Sequence, residues 1–169
     1  TYLLPKFTVL EAVEVAREQR GLGKKIYFDP SWDPNGWKVE TQEQTYQLLK
    51  HVDVFMPNET EICHLTGKTD WRDALSVVSC YCSEIVVKLG AEGAAVLKDG
   101  ELTRVMGNKV EAKDSTGAGD VFDMGYLLAS RFGEAMENRL RFANSLASHV
   151  ISQKSQARYP SIEQIQAAL

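Results

Sequence analysis

An eight-residue stretch, Lys113-Asp114-Ser115-Thr116-Gly117-Ala118-Gly119-Asp120, runs straight into the apolar segment Val121-Phe122-Asp123-Met124-Gly125-Tyr126-Leu127-Leu128-Ala129. Two glycines flanking an alanine permit a sharp turn that aims several backbone N–H groups at one point, and the apolar run predicts a buried helix starting there. The first N–H groups of a helix lack partners within it and carry the positive end of its dipole. The turn therefore predicts an anion site that needs neither Lys nor Arg. Asp120 is the odd residue, because a carboxylate at the rim of such a site repels the ligand; a general base aimed at a nucleophilic hydroxyl accounts for it. A plainer alternative stays open at this point, in which Asp114 or Ser115 is an N-cap and Asp120 only complements the dipole.

Composition narrows the partners. A chain of 169 residues, 44% hydrophobic, can bury one core, and a single domain over residues 1–169 is expected. Its apolar runs are too short for a transmembrane helix or signal peptide, which predicts a soluble, cytoplasmic protein without a membrane partner. A net charge of −4 and a pI near 5.4 leave no basic stripe for nucleic acid, so an anionic ligand has to be held locally. Cys63, Cys80 and Cys82 are odd in number, Cys80 and Cys82 form C-x-C, and His64 has no second cluster to join. Reduced structural thiols are the reading.

Along the chain, Val9, Val13 and Ala16, with Leu10 beside them, mark an amphipathic helix ending near Gly21 and Gly23, after opening residues 1–6 without a strand pattern. Ile26-Tyr27-Phe28 reads as a buried strand stopped by Asp29-Pro30, followed by a loop through Trp37. Thr41 with Gln44 predicts a capping box for a helix to about Lys50, and Val52 to Met56 the next strand. Asn58 with Glu61 predicts another box, placed where open α/β sheets bind ligands. Leu75, Val78 and Cys82 define a helix leading into the strand 84–90. A turn at Gly93 and another at Asp99-Gly100 then give two hairpins, so a mostly parallel sheet gains antiparallel edge strands. Gly125 costs about 1 kcal/mol mid-helix relative to Ala unless a neighbouring backbone packs there, and close packing is the expected reason. Met136, Leu140, Ala143 and Val150 continue at helical spacing with Asn144 and His149 off that line, and Ser161 opens a short terminal helix. As isolated residues, Asn144 reads as surface polar and His149 as structural.

Asp114-Ser115-Thr116-Gly117-Ala118-Gly119-Asp120-Val121-Phe122-Asp123-Met124-Gly125 resembles the signature of the ribokinase-like (PfkB) carbohydrate kinases, Asp-Thr-Thr-Gly-Ala-Gly-Asp-x-Phe-x-x-Gly, with Ser115 replacing one Thr. The order of the other motifs agrees: an Asp-Pro loop, Asn58-x-x-Glu61, and Val86-Val87-Lys88-Leu89-Gly90-Ala91-Glu92-Gly93, which resembles the family's nucleotide-side loop. The resemblance implies a Rossmann-like three-layer α/β/α fold. It implies ATP-dependent phosphorylation of a sugar or nucleoside hydroxyl, with Asp120 as base and the amides of Gly117, Ala118 and Gly119 as the anion hole. It further implies nucleotide contacts at Lys88, Gly90, Gly93, Thr116 and Asn144, and Mg²⁺ assistance from Asn58 and Glu61. Asp114 would contribute to a cation site, with K⁺ as a further cofactor, and the full-length form would be a homodimer. For Lys88, where the family often has Thr, a phosphate contact and a solvated strand end are both open.

The departures bear on substrate and activity. Asp29-Pro30-Ser31 replaces the usual Asp-Pro-Asn, and residues 152–158 lack the Gly-Ala pair beside the family's monovalent-cation loop. The family's N-terminal part, with most sugar contacts and a small β lid, is expected to lie outside these 169 residues. The chain would then be the nucleotide-binding part, weak or inactive alone because a lid excludes water and aligns the acceptor. The alternative is a kinase-like scaffold subunit, against which Gly117, Gly119 and Asp120 weigh. A Rossmann dinucleotide binder lacks its G-x-G-x-x-G after the first strand.

Overall fold

The computed structural model describes residues 7–153 and 159–168. The opening residues 1–6 and the core of the expected cation loop, 154–158, lie outside the described residues. Helices and strands alternate as α1 (Val9–Gly21), β1 (Tyr27–Phe28), α2 (Val39–Leu49), β2 (Val54–Phe55), α3 (Glu59–Thr66), α4 (Trp71–Val78), β3 (Glu84–Lys88), β4 (Ala94–Lys98), β5 (Glu101–Val105), α5 (Ala118–Arg131), α6 (Met136–Ile151) and α7 (Ile162–Ala168). The strands hydrogen-bond in the order β1-β2-β3-β4-β5. Tyr27 lies opposite Val54, and Phe55 opposite both Phe28 and Ile85, in parallel register. Asp99 (φ 49°) and Gly100 (φ 84°) supply the consecutive left-handed residues of a type I′ turn, whose twist suits the antiparallel return of β5 on β4. The result is the expected α/β architecture with a mixed sheet.

Two compact units divide the chain. The first runs to Val87 and takes in Leu97–Leu102; the second comprises Lys88–Val96 and the chain from Thr103 on.

In the first unit the fully buried Ile85-Val86-Val87 run marks a strand covered on both faces. Phe28 and Phe55 stack across β1 and β2 with centroids 5.7 Å apart. Local signals set the helix starts. Thr8 caps α1 by accepting from the Glu11 N–H at 3.2 Å while Glu11 accepts from the Thr8 N–H at 2.6 Å, and Val9, Ala12 and Ala16 form its buried stripe. Leu10 points out. Helix α2 departs from expectation: it starts at Val39, with Lys38 as an N-cap that makes no side-chain cap, so Thr41 and Gln44 are already inside it. The Thr41 carbonyl accepts from the Thr45 hydroxyl, and Gln44 donates to Glu40, spending these groups within the helix. Helix α4 ends at Val78, capped at its start by Asp70, and Cys82 lies beyond it. The Cys82 thiol donates to the carbonyls of Val52 and Glu84, which is why an apolar spacing reached past the helix end.

In the second unit α5 packs on α6. A Cβ on Gly125 would stand 3.0 Å from Ala143 Cα and 3.1 Å from Leu146 Cδ1, so the glycine is there for close approach of the two helices, as expected. An alanine would gain about 1 kcal/mol of helix propensity and lose about 1–3 kcal/mol to overpacking. Phe122, Gly125, Tyr126 and Ala129 form the buried face at i, i+3, i+4 and i+7. The helix is amphipathic rather than buried all round, with Met124 66% exposed. Ala129, Phe142 and Leu146 form a core cluster to which Val121, Leu128 and Ile165 add.

Candidate functional site

The turn before α5 is built as the glycines suggest. Gly117 is the N-cap, in the left-handed conformation (φ 77°, ψ 3°), and no side chain caps the helix. A residue in that conformation rarely carries a Cβ, and Gly117 has no side chain with which to satisfy the first-turn amides. The alternative of an Asp114 or Ser115 cap is thus not adopted. Asp114 instead accepts from the Thr116 N–H at 2.9 Å, and the Ser115 carbonyl accepts from the Ala118 N–H at 3.2 Å, which tightens the turn. The Ala118 amide is therefore occupied within the loop, leaving Gly119 and Asp120 in a first turn where helical N–H groups have no carbonyl four residues behind. Asp120 is exposed there. Tyr159 flanks the turn, its hydroxyl 3.4 Å from where a Gly117 Cβ would be.

Lys88 is not a solvated strand end. Its Nζ donates to both oxygens of Asp123, at 3.1 and 3.2 Å, and the two side chains are only 12% and 13% exposed. The same Nζ would lie 3.7 Å from a Cβ on Gly119. The structure thereby joins Lys88, Gly119 and Asp123, a grouping the sequence does not announce, because the ion pair spans 35 positions. The only hint was the charged residue in the otherwise apolar run after Asp120.

The two glycines of the β3–β4 connection differ. Gly90 (φ 58°) faces open space, whereas a Cβ on Gly93 (φ 94°) would strike the Val105 carbonyl oxygen at 2.1 Å and the Gly107 nitrogen at 2.4 Å. Gly93 has a steric reason of its own. Asn144 is not a surface residue: it is 6% exposed, its amide donates to the Met106 carbonyl at 3.5 Å, and with Met106, Asn138, Arg141 and Ser145 it lines a cleft of about 390 Å³. His149 is exposed.

In the first unit the Asn58 box is present in full. Asn58 Oδ1 accepts from the Glu61 N–H at 2.9 Å and Glu61 accepts from the Asn58 N–H at 2.8 Å, with Glu61 5% exposed. Ser31, at the family departure, is left-handed (φ 57°) with its N–H donating to Asp29. Burial, reinforced at Cys63 by Glu59 and Asp70, pushes the thiols of Cys63 and Cys82 up, and all three cysteines are free, in keeping with reduced structural thiols. Among the described residues no cluster of three or more His, Cys, Asp or Glu is placed to hold a metal, and no helix is long and apolar enough to cross a membrane.

Helices flanking a mixed five-stranded sheet, with a glycine turn opening α5, define a ribokinase-type α/β protein. The Arabidopsis thaliana ribokinase structure, described as complexed with ribose and ATP, superimposes with TM-score 0.78 at 26% identity over 93% of this chain and 51% of that one. Aminoimidazole riboside kinase from Salmonella enterica, complexed with aminoimidazole riboside and an ATP analog, shares the fold with TM-score 0.79 at 23% identity, over 94% of this chain and 56% of that one. Residues 3–163 match the pfkB family carbohydrate kinases, and the chain belongs to that family. The 5-dehydro-2-deoxygluconokinase of Lacticaseibacillus casei is 31% identical over 166 residues, 94% of this chain and 50% of its own length. Ribokinase of Haemophilus influenzae is 29% identical over 154 residues, 87% of this chain and 48% of its own length. The chain thus spans about half the length of these curated relatives.

Proposed function

We propose that this chain carries the nucleotide-binding part of an ATP-dependent kinase whose acceptor is a hydroxyl of a sugar or related compound. The observation that carries the reading is the start of α5: a left-handed Gly117, no side-chain cap, and an exposed Asp120 in the first turn. Unsatisfied first-turn amides and the helix dipole hold a transferring phosphoryl group. Asp120 orients the acceptor hydroxyl, whose oxygen attacks the γ-phosphorus as the bond to the β-phosphate oxygen breaks. The hydroxyl proton passes to the Asp120 carboxylate, and ADP leaves. In a loose transition state that proton is lost late, so the role of Asp120 is chiefly positional. Gly117, Ala118 and Gly119 shape the turn, Thr116 and Gly90 border the phosphates, and Asn144 lines the cleft suited to the nucleotide base.

Mg²⁺ binds through one or two carboxylates plus substrate phosphates, and Glu61 and Asp114 offer such carboxylates. Glu61 and Asn58 would hold it through water, and Asp114 would serve a monovalent cation such as K⁺. When bound, Mg²⁺ neutralises phosphate charge. The relatives are named for ribose, ribosides and deoxygluconate derivatives, which supports a sugar-like acceptor. Calorimetry with ATP and ADP in the presence of Mg²⁺, followed by phosphorylation assays on a panel of such sugars, tests the proposal. Absence of binding at millimolar nucleotide by folded protein would sink it in favour of a scaffold subunit.

A further inference from the structure

The Lys88–Asp123 pair has a place in this site that the motif does not assign. Gly119 and Asp123 are four apart on α5 and so share a face, and Lys88, at the end of β3, reaches that face. Its Nζ meets both Asp123 oxygens at 3.1 and 3.2 Å and stands 3.7 Å from the Cβ position of Gly119. An ammonium so withdrawn from water requires an anion, and Asp123 supplies one when no ligand is present. The same carboxylate limits where the flexible lysine stem can put its charge.

Resting on the kinase reading above, we propose that Asp123 is a positioning residue that fixes the Lys88 ammonium beside Gly119 as a set counter-charge for the terminal phosphates of a nucleoside triphosphate. Lysine serves phosphate as a point charge, so its value depends on where it is held. The pair is neutral before the ligand arrives, and the cradle therefore does not act as an unselective anion trap. Removing either member takes this partner from the other, with opposite consequences for an incoming phosphate.

The test uses the complete gene product, with Mg²⁺–ATP affinity by calorimetry at low and high ionic strength, KM and kcat, and melting temperature. Lys88→Met is expected to weaken ATP binding about tenfold or more, because the Asp123 carboxylate then faces the phosphates without the ammonium that offsets it. Adding Asp123→Asn to it should recover most of that loss. Asp123→Asn alone should lower kcat about tenfold with ATP affinity retained or tightened and a steeper salt dependence, since the freed ammonium binds phosphate but is no longer aligned. Lys88→Arg, keeping the charge, should retain affinity. Altered melting with ATP affinity, its salt dependence, KM and kcat all unchanged would overturn the proposal and leave the pair a structural one. If the charge-removing variants do not fold, Asp123→Glu decides: lowered kcat at retained KM supports positioning, and unchanged kcat refutes it. Failure of the wild-type protein to bind nucleotide would instead refute the kinase reading beneath it.

Discussion

Helix starts in this protein are of two kinds. Helices α1 and α3 are closed by reciprocal boxes, Thr8 with Glu11 and Asn58 with Glu61, in which side chains take up the orphan donors. Helix α5 starts from Gly117 with no side chain available for the task. Glycine in place of a side-chain cap costs only about a few tenths of a kcal/mol, a small sacrifice of stability at the start of a 14-residue helix. Helix α5 recovers it along its length, through the Gly125–Ala143 approach and the buried Phe122 and Tyr126. Helices α2 and α6 also begin without a side-chain cap, at Lys38 and Ala135, so what sets α5 apart is the left-handed Gly117 turn with Asp120 exposed beside it.

The sharpest way to break this comparison is at Asp120. Asp120→Asn in the complete gene product should cut kcat by about 10²–10⁴-fold, with ATP affinity similar or slightly tighter because a negative charge near the triphosphate has gone. Near wild-type kcat in steady-state assays would return Asp120 to the role of a dipole-complementing residue. The closed start at α3 is probed by Glu61→Gln, which keeps much of the box but removes the charge. Turnover should fall about 10–100-fold with the melting temperature held if Glu61 supports Mg²⁺. A loss of stability with kinetics preserved would leave only the cap.

Gly117→Asn asks the open start to behave like the closed ones. Asparagine tolerates the left-handed conformation and can cap, so stability should change by less than about 1 kcal/mol in thermal melts, while nucleotide affinity falls about tenfold as the side chain competes for the amides. Unchanged affinity by calorimetry would show that these amides do not hold phosphate. The smallest effect belongs to α1. Donation from the Thr8 N–H and hydroxyl holds the Glu11 carboxyl below its usual range. The contribution of this box is therefore complete above the ordinary carboxylate pKa and disappears as pH falls through the lowered one. Acidification should lower the protection factor of the Thr8 N–H, the unstructured exchange rate divided by its own at the same pH, before any global unfolding, as NMR would record.

What was legible in the sequence follows from range. The Asn58–Glu61 box, the Gly117 turn and the Gly125 contact are written in residues within one helical turn of each other or in the cost of a single glycine. The start of α2 was misplaced because Thr41 and Gln44 satisfy the box spacing while Lys38 opens the helix without a side-chain signal. Cys82 was assigned to α4 because its apolar spacing continues the helical one, although its sulfur belongs to the carbonyls of Val52 and Glu84. Asn144, as a polar residue off the apolar line, gave no hint of the Met106 carbonyl 38 positions away. The Lys88–Asp123 pair was out of reach for the same reason: strand and helix motifs each looked complete without the other.

The interlock at Gly93 has a consequence for anyone who reads importance from a saturation library. With the Val105 carbonyl oxygen 2.1 Å from where any Cβ must go, every substitution there collides with main chain, and all nineteen should drop out of a selection. Position 120 would show a similarly blank profile, yet its variants should accumulate as folded protein that does not turn over, while those at 93 should be lost to proteolysis before assay. Abundance and activity scored separately would part the two. Scored together, loss of the fold at Gly93 and loss of turnover at Asp120 would look the same.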